Sequence, residues 1–67
     1  MYALDIGVGG GILSESLRRL GSKVTGIDVS ENSIQSALNH KLSDPELRED
    51  SDLQYKLISV EDMNNNE

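Results

Sequence analysis

Two carboxylates and a group of glycines have the types and spacing of a ligand-binding turn. Asp5 stands in a short apolar segment that breaks into glycine at positions 7, 9, 10 and 11 and then becomes apolar again from Ile12. Glycine tolerates positive φ and, having no Cβ, lets a ligand lie against the backbone. A helix that follows such a turn offers free N–H groups and a positive dipole end. The segment therefore predicts a site for an anionic or strongly hydrogen-bonding group.

A second acidic residue lies at a distance that matches this turn. Asp28 comes 21 residues after Gly7, at the end of the next strand-like segment. An acid at that position can accept hydrogen bonds from both hydroxyls of a ribose. A solvated strand-end carboxylate or a helix cap is the alternative. We favour ribose binding because the glycines Gly7, Gly9 and Gly11 stand at the matching distance.

The residues around the glycines narrow the kind of nucleoside. A dinucleotide fingerprint requires Gly or Ala where this chain has Ile12, and no Gly-Lys-Ser/Thr follows to form a phosphate-binding P-loop. The pattern suits a nucleoside with an amino-acid tail, whose ammonium group Asp5 would hold directly or through water. The alternatives are that turn amides satisfy Asp5 and that the glycines form a sharp turn with no ligand.

The elements that must position these residues follow from hydrophobic periodicity. We predict strands over residues 2–6, 23–28 and 53–59, with the first covered on both faces as in a parallel sheet. A first helix over residues 12–20 presents Leu13, Leu17 and Leu20 and ends at Gly21. Ser30 caps a second helix whose apolar stripe is Ile34, Ala37, Leu38 and Leu42. Residues 44–52 form a mostly solvated acidic loop. The predicted fold class is α/β, an incomplete doubly wound (Rossmann-like) parallel sheet comprising its β-α-β-α-β half.

Composition limits the kind of protein. The chain has 67 residues, no cysteine and a net charge of −6, which disfavours binding to nucleic acid or to anionic membranes by general attraction. Met1 stands directly before the first strand with no targeting segment, so we interpret the chain as truncated. We expect two parts: a partial cofactor-binding half-domain over residues 1–63 and a disordered polar tail over residues 64–67.

Two segments of the chain have the form of known motifs: residues 4–11 read LDIGVGGG and residues 24–28 read VTGID. On these segments the chain resembles the class I S-adenosylmethionine-dependent methyltransferases, since the former looks like their first motif and the latter like the strand that holds the ribose. The surrounding residues 9–17, 19–28 and 40–45, with 53–56 and 59–62, are most similar to the ubiquinone-biosynthesis O-methyltransferases. Val8 is a departure, because members of that family usually carry Cys there.

This resemblance implies a cofactor, S-adenosyl-L-methionine, and roles for several residues. Gly7, Gly9 and Asp28 would contact its methionine moiety and ribose, Gly11 would shape the turn, and Val60 with Glu61 would approach the adenine. The implied reaction is O-methylation of a polyprenylated catechol-type ring, in mitochondria on the matrix side of the inner membrane. Proteins of a ubiquinone-biosynthesis complex are implied as partners. The acceptor pocket, the catalytic base and a divalent-metal site of the relatives come from segments after the third strand, so we expect this chain alone to be inactive.

No catalytic residue is predicted in the chain itself. His40 is the single histidine, and a lone histidine near a helix end is more often a dipole partner or a surface residue. Glu15 reads as a first-turn helix carboxylate. Two other functions remain open: a non-catalytic nucleotide-binding or protein-interaction module that uses the open sheet edge, and an NAD-binding Rossmann fragment.

Overall fold

The computed structural model describes residues 1–59 and residue 61. Over this part of the chain, strands and helices alternate in the order β1 (Tyr2–Ile6), α1 (Ile12–Arg19), β2 (Lys23–Asp28), α2 (Glu31–Ser43) and β3 (Leu53–Leu57). All strands are parallel, and β2 lies between β1 and β3. The predicted β-α-β-α-β half of a doubly wound sheet is confirmed.

The core lies between the sheet and its two helices. Both crossovers run in the same direction across the sheet, and right-handed connections then place both helices on one face. On that face Val24 and Leu53 are buried with Leu47, while Val8 packs with Ile34 and Ala37 of α2. Two small apolar clusters therefore hold the helices against the strands.

None of the residues that the structure describes covers the opposite face of the sheet. Tyr2, Leu4 and Ile6 point to this face and are 70%, 56% and 60% exposed. The prediction that β1 is covered on both faces is therefore wrong for residues 1–59 and 61. The reason is topological: the right-handed connections place both helices on the other face of the sheet. No helix in the described ranges has the length and apolarity to cross a membrane.

The helix α1 buries a different side from the one its leucines predict. Leu13 and Leu20 are 59% and 83% exposed, and Leu17 is half-buried, whereas Ser14 and Glu15 are buried. This side of α1 faces the protein because both polar residues find partners there, as described below. In α2 the predicted stripe is correct for Ile34, Ala37 and Leu38, whereas Leu42 is exposed.

The connection between α2 and β3 is anchored rather than simply solvated. Arg18 pairs with Asp50 at 2.8 Å and with Asp52 at 3.6 Å. Arg19 pairs with Asp44 and Glu46, and Leu47 is buried in the core. Two arginines in the last turn of α1 therefore bind the acidic loop along its length.

The predicted helix boundaries are confirmed to within a residue. Ser30 caps α2 by accepting a hydrogen bond from the Ser33 amide at 3.2 Å, and Gly21 ends the α1 region with φ +102°. The strand β3 is shorter than predicted and ends at Leu57 rather than at residue 59.

Candidate functional site

The glycine loop, residues 7–11, bends sharply at the carboxyl end of β1. Gly7, Gly9 and Gly11 have φ values of +76°, +57° and +84°, in the left-handed region that side chains disfavour. The Gly7 amide donates to the Ile27 carbonyl at 2.8 Å, and the Gly11 amide donates to the Val8 carbonyl at 2.9 Å. The loop is therefore fixed to β2 at one end and leads directly into α1, for which Gly11 is the N-cap residue.

The outer side of the loop is open. A Cβ added at Gly7, Gly9 or Gly10 would meet no atom within 4 Å. No bulky side chain fills the space above these peptides, so a ligand can approach them. Gly11 differs, because a Cβ there would lie 2.7 Å from the Tyr55 hydroxyl. The first glycines of the loop face open space, and the last one faces the protein.

Asp28 ends β2 with its carboxylate directed at this loop. Its Oδ1 accepts a hydrogen bond from the Ser30 amide at 2.8 Å, and its Oδ2 accepts one from the Gly9 amide at 3.4 Å. The carboxylate thus caps the turn into α2 with one oxygen and faces the glycines with the other. The two roles considered for Asp28 from the sequence are compatible in this geometry.

Asp5 lies behind the loop, on the helix-covered side of the sheet. It is 8% exposed, and its Oδ2 accepts a hydrogen bond from the Ser14 hydroxyl at 2.5 Å. A serine in the first turn of α1 therefore satisfies this carboxylate. This hydrogen bond joins β1, which precedes the glycines, to α1, which follows them.

The remaining candidates lie apart from the loop or outside the description. Val60 and residues 64–67 lie outside the described residues, and Glu61 is exposed. His40 stands in the last part of α2 with its Nδ1 2.6 Å from Glu15 Oε2. This contact joins α2 to α1, and the His40 side chain is largely exposed while that of Glu15 is buried. His40 is therefore a helix–helix contact.

Three residues around the loop were missed from the sequence: Ser14, Gly26 and Tyr55. Gly26 had a usable signal, because glycine inside a strand often marks a close approach by another group. A Cβ at Gly26 would lie 2.5 Å from Val8 Cγ1 and 2.8 Å from Tyr55 Cδ1. The absent side chain leaves room for the residues that pack beneath the loop. Ser14 and Tyr55 carried no comparable signal.

Metal ligands do not gather near the loop. Over residues 1–59 and 61, no group of three or more histidines and carboxylates has a geometry that could hold a metal ion. The chemistry available here is that of backbone amides, open glycine peptides and one facing carboxylate.

A glycine loop after the first strand, facing an acid at the end of the second, is typical of the nucleotide-binding half of α/β domains. Comparison with known proteins specifies the family. The family model described as "Methyltransferase domain" matches residues 4–67, and the chain belongs to this family. No solved structure matches the chain.

Curated relatives are similar over nearly the whole chain. The mouse protein "Ubiquinone biosynthesis O-methyltransferase, mitochondrial" is 48% identical over 62 residues, which are 92% of this chain and 16% of that protein. The human protein of the same name is 44% identical over 63 residues, 94% of this chain and 16% of that protein. "Ubiquinone biosynthesis O-methyltransferase" of Albidiferax ferrireducens is 47% identical over 58 residues, 87% of this chain and 21% of that protein. The chain thus spans about a sixth to a fifth of the length of these relatives.

Proposed function

We propose that this chain is the S-adenosylmethionine-binding part of an O-methyltransferase of ubiquinone biosynthesis. The observation that carries the proposal is the Asp28 carboxylate, which faces the glycine loop with its Oδ2 3.4 Å from the Gly9 amide. Membership of the methyltransferase-domain family supports S-adenosylmethionine as the cofactor. The names of the relatives support an acceptor that belongs to ubiquinone biosynthesis. The family resemblance implies that this acceptor of the whole protein is a polyprenylated catechol-type ring.

The residues of the loop fit such a cofactor. The open peptides of Gly7 and Gly9 would lie against its methionine moiety, since no side chain stands above them. Asp28 would accept hydrogen bonds from the ribose hydroxyls in place of the Gly9 amide. Charge-assisted hydrogen bonds of this kind are worth about 1.5–3 kcal/mol each. The bound cofactor supplies an electrophilic methyl group on a sulfonium.

Asp5 contributes to the same site in our proposal. Its carboxylate lies behind the glycines and is bonded to Ser14, so it would act on the cofactor ammonium through water and on the loop through α1. Val60 and Glu61 would approach the adenine, as the family resemblance implies. Gly11 shapes the turn because a side chain there would collide with Tyr55.

Orientation is the contribution that these residues make to methyl transfer. The reaction is an in-line displacement at carbon, which depends mainly on holding the reactants in line and on a base for the phenol. His40, the single histidine, has no catalytic role in our prediction and is paired with Glu15 between the helices. We therefore propose that the chain alone binds the cofactor and has little or no activity. In eukaryotes we place the whole protein in mitochondria, following the names of the relatives. A position on the matrix side of the inner membrane is what the family resemblance implies.

Calorimetric titration with S-adenosylhomocysteine tests the proposal. We expect a dissociation constant on the order of 10 μM. Asp28→Asn should weaken binding about 10- to 100-fold, because the ribose hydroxyls lose a charged acceptor. Asp52→Asn is the matched control, since Asp52 lies in the acidic loop and pairs with Arg18. Tighter binding of NAD, or an Asp28→Asn chain with wild-type affinity, would contradict the proposal.

The uncovered sheet face favours a second candidate, a protein-interaction module. Beside the apolar side chains of β1, the charges that the strands present on this face are those of Lys23 and Lys56. An amphipathic helix with acidic flanks complements this face in both apolarity and charge. In an NMR titration, a peptide of about 18 residues with a leucine stripe and glutamate flanks should shift resonances of β1 and β2. The same peptide with lysine flanks should bind more weakly, and equal binding would remove this candidate.

A further inference from the structure

The aromatic ring of Tyr55 lies directly beneath the glycine loop. Tyr55 stands opposite Gly26 in the register of β2 and β3 and packs against the cluster of Val8, Ile34 and Ala37. Its Cδ1 is 2.8 Å from the position of a Cβ at Gly26, and its hydroxyl is 2.7 Å from that of a Cβ at Gly11. The ring thus occupies a slot bounded by two glycines and reaches from the central strand to the start of α1.

The Tyr55 hydroxyl is buried among polar groups. Among the residues that the structure describes, it has no hydrogen-bond partner. Burial, together with the Glu15 carboxylate, raises the pKa of Tyr55 to about 12, against an opposing effect of the neighbouring Ser14 side chain, which stands close to the hydroxyl without meeting hydrogen-bond geometry. The group is therefore a neutral donor near pH 7. Buried hydroxyls are usually paired, and an unpaired one costs free energy of folding.

An acceptor for this hydroxyl lies in the first turn of α1. The Ser14 hydroxyl donates a hydrogen bond to Asp5, and its oxygen still has lone pairs that can accept a hydrogen bond from another group. The Ser14 side chain is near enough to the Tyr55 hydroxyl to lower its pKa, although the two form no hydrogen bond in this structure. A displacement of the start of α1 would let that hydrogen bond form. The resulting line of hydrogen bonds would run from β3 through α1 to the carboxylate behind the glycine loop.

We propose that Tyr55 is a positioning residue for the glycine loop, and that its hydroxyl bonds to Ser14 when the loop holds the cofactor. This inference rests on the proposed function for its ligand. Its ring supports Val8 and Gly11 from below. Its hydroxyl is retained, despite the cost of burying it unpaired, because the ligand-bound arrangement supplies its partner.

Tyr55→Phe separates the positioning role from simple packing. The variant keeps the ring and removes the unpaired hydroxyl, so resistance to urea should stay equal or increase. Affinity for S-adenosylhomocysteine should fall about five-fold, the value of one neutral hydrogen bond. Tyr2→Phe is the matched control, because Tyr2 is exposed and bonds to Thr25 on the uncovered face. Wild-type affinity in Tyr55→Phe would show that the hydroxyl has no role in binding and would overturn the proposal.

Amide exchange without ligand tests the loop itself and does not depend on the proposed function. Tyr55→Leu should speed exchange of the Gly9 and Gly11 amides by at least about ten-fold more than that of the Val24 amide in the central strand. Uniform acceleration across the sheet would indicate general destabilisation and would overturn the positioning role. If the wild-type chain does not bind S-adenosylhomocysteine, the proposed function and the hydroxyl's role fail, and this measurement decides the role of the ring.

Discussion

Around β1, the two faces of the sheet depart from the usual distribution of polar and apolar side chains. On the covered face, Asp5 is buried and bonded to Ser14, and Glu15 of the overlying helix is buried as well. On the uncovered face, Leu4 and Ile6 of the same strand as Asp5 are mostly exposed. Beside its two apolar clusters, the covered face therefore holds a polar support for the glycine loop. The uncovered face has the composition of a surface that another element covers.

The largest expected difference between the faces is in stability. Leu53→Ala on the covered face should cost roughly 2–5 kcal/mol of unfolding free energy, because Leu53 is fully buried and its removal leaves a cavity. Leu4→Ala on the uncovered face is the matched control and should cost much less. Urea denaturation followed by circular dichroism measures both. Equal losses would show that the two faces are packed alike.

Gly26 sharpens the comparison within the covered face. Gly26→Ala places a Cβ 2.5 Å from Val8 Cγ1, so we expect overpacking to cost about 1–3 kcal/mol and to displace the loop. Gly10→Ala introduces the same methyl group where nothing lies within 4 Å, and its φ is not positive, so it should be nearly neutral. Thermal unfolding of the two variants provides the measurement. A neutral Gly26→Ala would mean that Val8 and Tyr55 do not pack tightly beneath the loop.

Removal of a charge from the acidic loop should have a smaller effect on stability, and this effect should depend on pH. The Asp52 amide and the Arg18 guanidinium hold the pKa of Asp50 below its ordinary value of 3.8. A carboxyl group whose pKa is lowered on folding stabilises the fold above its unfolded pKa, and this contribution is lost as the pH falls through the folded pKa. Asp50→Asn should therefore lower stability at pH 7 by less than about 1 kcal/mol.

Urea midpoints at pH 7 and about pH 2.5 check this expectation. The difference between the wild-type chain and Asp50→Asn should shrink at the lower pH, because that pH lies below the ordinary pKa of 3.8 and the contribution is lost as the pH falls toward and through the lowered pKa of Asp50 in the folded chain. Glu49→Gln, in the same loop, is the control for removal of a carboxylate. A difference that does not depend on pH would mean that the Asp50 charge contributes nothing to anchoring the loop.

The smallest effect on stability is expected on the uncovered face. Leu4→Lys should change the unfolding free energy by no more than about 0.5 kcal/mol, because the side chain is already mostly in water. The same change should reduce self-association, since exposed apolar strands with an open edge are prone to aggregate. Sedimentation velocity should compare the association of Leu4→Lys with that of Gln35→Lys, which adds the same charge at an exposed position of α2. Equal association of the two variants would show that this face does not drive aggregation.

The sequence predicts the fold well because its signals are local. The glycines, Ser30 and Gly21 mark the ends of elements through their own conformational preferences, and the structure confirms these boundaries. Which side of an element is buried depends on partners that are distant in the chain. Leu13 and Leu20 follow helical periodicity but are exposed, because Ser14 and Glu15 find partners on β1 and α2.

The same distinction between local signals and distant partners applies to the candidate site. The positions of the glycine loop and of Asp28 at strand ends follow from spacing along the chain, and the structure brings them together. The position of Tyr55 beneath the glycine loop could not be predicted, because it depends on the register of β3 against β2, which are separated in sequence by α2. The anchoring of the acidic loop by Arg18 and Arg19 likewise joins residues that are far apart in sequence.

The Gly9 amide competes with the proposed ligand for the Asp28 carboxylate, because it already donates a hydrogen bond to that group. A sugar diol that takes this carboxylate must first displace the amide, so the measured affinity reports an exchange of partners. Lengthening or weakening that contact should therefore tighten binding, even when the change adds no new contact to the ligand. Such a gain would distinguish an acid that recognises a ligand from one that only closes a turn.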